Sequence, residues 1–156
     1  MLKIICIFFT SIILLTDARA DDLYFLCPVT GNYKNYGLSG DQKNLLGDFA
    51  QEVIVTIGVN QKIPLSMFIK TTNDGSGLFR TQFIGATIGN NLTVQDTVIS
   101  IENSFVRDIS NWTQRASLNR ITLFLEVQVS REYIKPPPEG LIINYSGTCS
   151  PTNKKI

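Results

Sequence analysis

The chain has 156 residues, with 14 basic and 13 acidic side chains and no histidine. The missing imidazole excludes a Ser-His-Asp triad, a Cys-His pair, a two-histidine nuclease and nearly all zinc catalysis. No basic stripe or aromatic-basic interleaving stands out, so nucleic acid is not an expected partner.

Residues 1–20 carry a lone Lys3, an apolar run over residues 4–15 and the small-x-small triplet Ala18-Arg19-Ala20. This is the pattern of a cleavable secretory signal. The run is shorter than the ~20 apolar residues that span a bilayer. The expected product is a single domain over 21–156, exported to a periplasm or beyond, with no integral membrane segment. Loss of Lys3, Asp17 and Arg19 leaves equal numbers of basic and acidic side chains, hence a net charge of zero. Of three cysteines, Cys6 leaves with the signal. Cys27 and Cys149 remain, an even count that in an exported protein reads as one disulfide.

Beyond the signal, the dominant period is two. A first strand is expected over 23–27, ending at Cys27. Residues 42–49 hint at a short helix, interrupted by Gly47. Val53, Val55, Ile57 and Val59 then alternate with polar or small residues, as do Ile121, Leu123, Leu125, Val127 and Val129. Both runs read as half-buried strands. Shorter strands are expected over 63–69, 78–84, 97–102, 104–107 and 141–149. Turn signals separate them at Asn60-Gln61, at 73–77, at Gly89-Asn90-Asn91 and at 136–140, where three prolines stiffen the connection. Many short strands with regular turns predict an all-β domain: a small antiparallel barrel, or a sandwich, closed by a disulfide from first strand to last.

Catalytic machinery is sparse. No phosphate-cradling loop or calcium-loop spacing occurs. Asp96, Glu102, Asp108, Glu126 and Glu132 fall on different predicted strands and loops, so nothing in the sequence pairs two carboxylates for glycosidase chemistry. A non-enzyme with no cofactor and no metal is expected. Asn91-Leu92-Thr93, Asn111-Trp112-Thr113 and Asn144-Tyr145-Ser146 match the glycosylation pattern, at about the frequency chance allows in so Asn-, Ser- and Thr-rich a chain. Trp112, the only tryptophan, is a candidate anchor for a sugar or protein partner, or a half-buried packing residue.

Three segments carry a resemblance. Leu23-Tyr24-Phe25-Leu26-Cys27, Ser117-Leu118-Asn119-Arg120-Ile121-Thr122 and Asn144-Tyr145-Ser146-Gly147-Thr148-Cys149 resemble a loose group of small bacterial exported β-rich proteins. Their pattern is a tyrosine-containing first strand ending in Cys, an Asn-Arg-x-Thr-Gly strand entry and a terminal Tyr-x-Gly-x-Cys. This chain departs by Leu123 at the glycine and by lacking Gly after Cys27. The resemblance implies a periplasmic setting and transfers no activity; it marks Asn119 and Arg120 as a ligand-facing pair or as a structural turn. A weaker similarity is to periplasmic lysozyme inhibitors, through Asp74-Gly75-Ser76-Gly77-Leu78-Phe79-Arg80, with Ser76 and Arg80 as its inhibitory residues. A pilin-like subunit would need a long donor segment before its first strand, where only 21–26 precede Cys27. The leading expectation is an exported, non-catalytic binding protein for a small ligand or a protein partner. The alternative is an inhibitor of a cell-wall-degrading enzyme.

Overall fold

Alternation sends every second side chain of each strand to one common interior, and a sheet with a single apolar face buries it most completely by curling onto itself. A computed structural model describes residues 21–36, 46–60, 63–72, 84–134 and 139–153. It contains β1 (Asp21–Tyr36), β2 (Leu46–Asn60), β3 (Ile63–Thr71), β4 (Ile84–Ile88), β5 (Asn91–Val94), β6 (Val98–Arg107), β7 (Ser110–Asn119), β8 (Phe124–Tyr133), β9 (Gly140–Thr148) and β10 (Ser150–Pro151). Neighbours pair in chain order, and β1 pairs with β9 to close the sheet. The architecture is a closed nine-strand barrel, with β10 prolonging β9.

The pairing is mixed rather than wholly antiparallel. Gly89 (φ 80) and Asn91 (φ 61) shift the chain sideways without reversing it. Consequently β4 and β5 run parallel, joined only through Thr87–Asn91 and Ile88–Leu92. Three further expectations are corrected. Residues 46–49 belong to β2 and not to a helix, while 42–45 lie outside the described residues. The first strand does not end at Cys27 but runs on to Tyr36. The last long alternation begins at Phe124, with Ile121 in the preceding turn.

The interior is filled. Val29, Val53, Val55, Met67, Ile69, Ile84, Ile99, Ile101, Leu118, Leu125, Val129 and Ile143 are essentially inaccessible. These mostly aliphatic side chains form the core of the barrel.

Among the described residues, the ladder is interrupted at two places. At the first, β1 faces the β9–β10 line, and Cys27 and Cys149 form a disulfide across it, 122 residues apart in sequence with Cα atoms 4.0 Å apart. Thr30–Ser146 and Leu26–Ser150 share one register, which sets Cys27 directly opposite Cys149 and Pro28 opposite Thr148. Proline has no N–H to give a ladder. The covalent bond therefore sits beside the residue that has no amide hydrogen to donate. Gly147 is obligatory nearby, because a Cβ there would strike the Pro28 carbonyl.

At the second, β5 covers β6 only as far as Ile101. Beyond Ile101, β6 keeps β7 on one side, and on the other it approaches β4 with no backbone ladder among the described residues. Side chains span the opening. The Asn103 amide donates from Nδ2 to the Gly85 carbonyl of β4 at 3.2 Å and to Gln114 Oε1 at 3.5 Å. Asn91 Nδ2 donates to Asn103 Oδ1 at 3.0 Å.

Candidate functional site

Asn119 and Arg120 lie between β7 and β8. The Asn119 carboxamide oxygen accepts from the Ile121 and Thr122 amides, both at 2.9 Å, a side-chain imitation of a backbone turn. The Arg120 backbone N–H donates to the Thr97 carbonyl at 2.7 Å. Its guanidinium donates to the carbonyls of Gln95 and Asp96 at 3.4 and 3.3 Å. The Asn119 side chain thus closes its own turn, and Arg120 ties that turn to the neighbouring β5–β6 connection. Leu123 follows at φ 55, a left-handed backbone that glycine adopts without cost. The Leu123 carbonyl accepts from the Cys149 amide at 2.8 Å, so this turn also braces the disulfide. Tyr145, Gly147 and Cys149 all point inward at the seam. Tyr145 is buried edge-on against Phe49, ring centroids 6.2 Å apart. Burial raises its phenol well above the ordinary value. Ser76 and Arg80 lie outside the described residues.

The outer wall carries two polar rows that no local sequence pattern reveals, because each crosses five or six strands. One row runs Asn32–Asn144–Gln128–Arg115–Glu102. The other runs Thr30–Ser146–Glu126–Ser117–Ser100–Thr93. Gln128 Nε2 donates to Asn144 Oδ1 at 3.1 Å, and Asn144 Nδ2 to Asn32 Oδ1 at 3.4 Å. Arg115 donates twice to Glu102, at 2.9 and 2.7 Å. Short hydroxyl side chains beside longer amides leave a shallow open groove of ≈ 570 Å³. Glu102 and Glu126, scattered in sequence, share this groove. Glu102 is exposed and already paired with Arg115. A carboxylic acid kept protonated for catalysis needs an apolar, enclosed setting, which this open polar wall does not offer.

The end of the barrel where β6 turns into β7 has a different chemistry. Asp108 (φ 56) and Ile109 make the two-residue turn. Behind it, Phe105, Trp112 and Arg131 are successive cross-strand partners on β6, β7 and β8. The Phe105 and Trp112 rings lie parallel within 5°, centroids 6.3 Å apart. The Arg131 guanidinium sits 5.2 Å from the Trp112 ring centre and 4.3 Å from that of Tyr133, within cation–π range of both. It is held there by donation from Nε to Ser110 Oγ at 3.2 Å. Trp112 is therefore half-buried, sandwiched between a ring and a cation. Phe105 in the stack is 41% exposed, and Ile109 and Ile134 at the same end are 46 and 56% exposed. Of the residues read as binding candidates, the structure places Trp112 here and Asn119 and Arg120 in the β7–β8 turn, which opens at the opposite end of the barrel. No protein-family model, curated protein or solved structure matches this chain.

Proposed function

We propose that the chain is an exported, non-catalytic binding protein whose partner is another protein, docked on the hairpin end. The observation that carries this reading is the Phe105–Trp112–Arg131–Tyr133 stack beside exposed Ile109 and Ile134. Tryptophan, tyrosine and arginine are the residues that anchor protein interfaces. Here each is already held by its neighbours, so binding would forfeit little side-chain entropy.

The test is native mass spectrometry of the protein purified from the exported fraction of its own host, beside a Trp112→Ala variant. A protein-sized partner on the wild type that is lost from the variant is the expected result. Equal capture by both would refute docking at this end. A small co-purifying mass instead would move recognition to the polar groove.

A further inference from the structure

We propose that the polar groove across the outer wall is a binding site for a neutral, linear oligosaccharide of pyranose rings. It is a second site beside the docking end, because its lining shares no residue with the Phe105–Trp112–Arg131–Tyr133 stack.

Strand register builds the groove. Its floor is the row of short side chains Thr30, Ser146, Ser117, Ser100 and Thr93, with Glu126 among them. The adjacent row, Asn32–Asn144–Gln128–Arg115–Glu102, carries longer side chains and forms one bank. On the other side Phe124, 39% exposed, pairs with Thr148. A hollow of ≈ 390 Å³ lined by these two also takes in Ser117 and Glu126 of the floor. Where the groove meets β2, a hollow of ≈ 660 Å³ takes in Thr30 and Asn32 and extends to Asp48. The groove itself, ≈ 570 Å³, crosses six strands. Such a trough suits an elongated ligand lying across the strands.

The lining selects the chemistry. A carboxamide has two N–H donors and two acceptor lone pairs. The Asn144 amide uses one of each, accepting from Gln128 and donating to Asn32. A donor and an acceptor remain, on a side chain already held in place. Serine and threonine hydroxyls likewise both donate and accept. A ligand that matches this surface must do both at every step, as sugar hydroxyls do. Neighbouring strands lie about 4.8 Å apart, close to the length of one pyranose ring in an extended chain, so successive rings meet equivalent side chains. Charge selects against polyanions. Arg115 is the one cation lining the groove among the described residues, and it is paired with Glu102. Glu126 and, on β2, Asp48 are left to repel phosphate or sulfate. An extended peptide draws its specificity from pockets for alternate side chains, whereas the outward side chains of both rows are polar. Phe124 adds a ring for the C–H face of a sugar.

The test is a titration of the oxidised protein with cellohexaose and with chitohexaose, followed by NMR of backbone and side-chain amides. Expected are saturable shifts of the Asn32, Asn144 and Gln128 carboxamides, with the Trp112 indole signal unmoved. Glu126→Ala, at an exposed position, should weaken binding roughly tenfold and Gln128→Ala roughly fivefold. Ser117→Arg, which fills the floor, should abolish it. Trp112→Ala should leave it intact. No shift with either sugar, shifts confined to the Trp112 end, or tighter binding of a sulfated hexasaccharide would each overturn the proposal. If both sugars fail while Trp112→Ala still loses its protein partner, the docking reading stands and the groove site alone falls.

Discussion

The two interruptions of the barrel wall are closed by opposite means. Between β1 and β9–β10 the ladder falters at Pro28, and a disulfide between residues 122 apart takes over. Between β4 and β6 the ladder falters because β5 is four residues long, and the amides of Asn91 and Asn103 take over. The first closure joins distant parts of the chain, where the loop-closing entropy is large and a covalent bond is most effective. The second joins residues 18 apart by single hydrogen bonds, each with a net worth of about 1 kcal/mol. One seam is covalent, and the other is held by side-chain amides.

Breaking the covalent seam should have the largest effect. Replacing Cys27 and Cys149 together by serine is expected to cost about 4–5 kcal/mol in the chain-entropy picture. That would lower the melting temperature by roughly 10–20 °C in a domain of this size, as thermal unfolding with and without reductant will show. Gly147→Ala attacks the same seam without touching the sulfurs. Its Cβ would meet the Pro28 backbone, which cannot swing aside as a side chain could. A loss of about 1–3 kcal/mol is expected in denaturant titration. At the other seam, Asn103→Ala removes the donor to Gly85 and leaves the Gln114 amide oxygen without it. About 1–2 kcal/mol should be lost, with faster amide exchange confined to β4 and the far half of β6.

The smallest change sharpens the comparison by acting between the seams. Tyr145 is buried with its hydroxyl unpartnered, so Tyr145→Phe should be neutral or stabilising by about 1 kcal/mol. The phenol also gives a pH signature. Its ionisation is raised above the ordinary 10.0 by burial. Above that pH the unfolded chain releases a proton that the folded chain keeps, so stability falls as pH rises. Tyr145→Phe should flatten this alkaline slope, and an unchanged slope would show that other groups set it.

The fold class and the disulfide are legible because they depend on simple signals: period-two alternation, and two cysteines left beyond the N-terminal apolar run. The boundaries that were missed share a physical cause. Strand β7 has Ser110, Trp112, Gln114, Ala116 and Leu118 on its inward face, too polar to read as alternation. The turn before it, Asp108-Ile109, has no glycine, and the left-handed residue is an aspartate. Strand β1 continues through Pro28 and Gly31, which normally punctuate. Pro28 is tolerated because its missing N–H falls at the disulfide, and Gly31 because Tyr145 and Phe49 cover it. The polar rows and the Phe105–Trp112–Arg131 stack were illegible for a simpler reason. Each is assembled across strands, and only the register brings its members together. Trp112 alone could be singled out, since it is the one tryptophan.

The most direct test of the account is residue-resolved amide exchange on the oxidised, unliganded protein. The account predicts slow exchange throughout β1 and β9, on both sides of Cys27–Cys149, and fast exchange at alternate residues of 102–107 while their neighbours bonded to β7 stay protected. Uniform protection along β6 would mean that its outer edge is already covered. The contrast between a covalent seam and one held by side-chain amides would then be wrong.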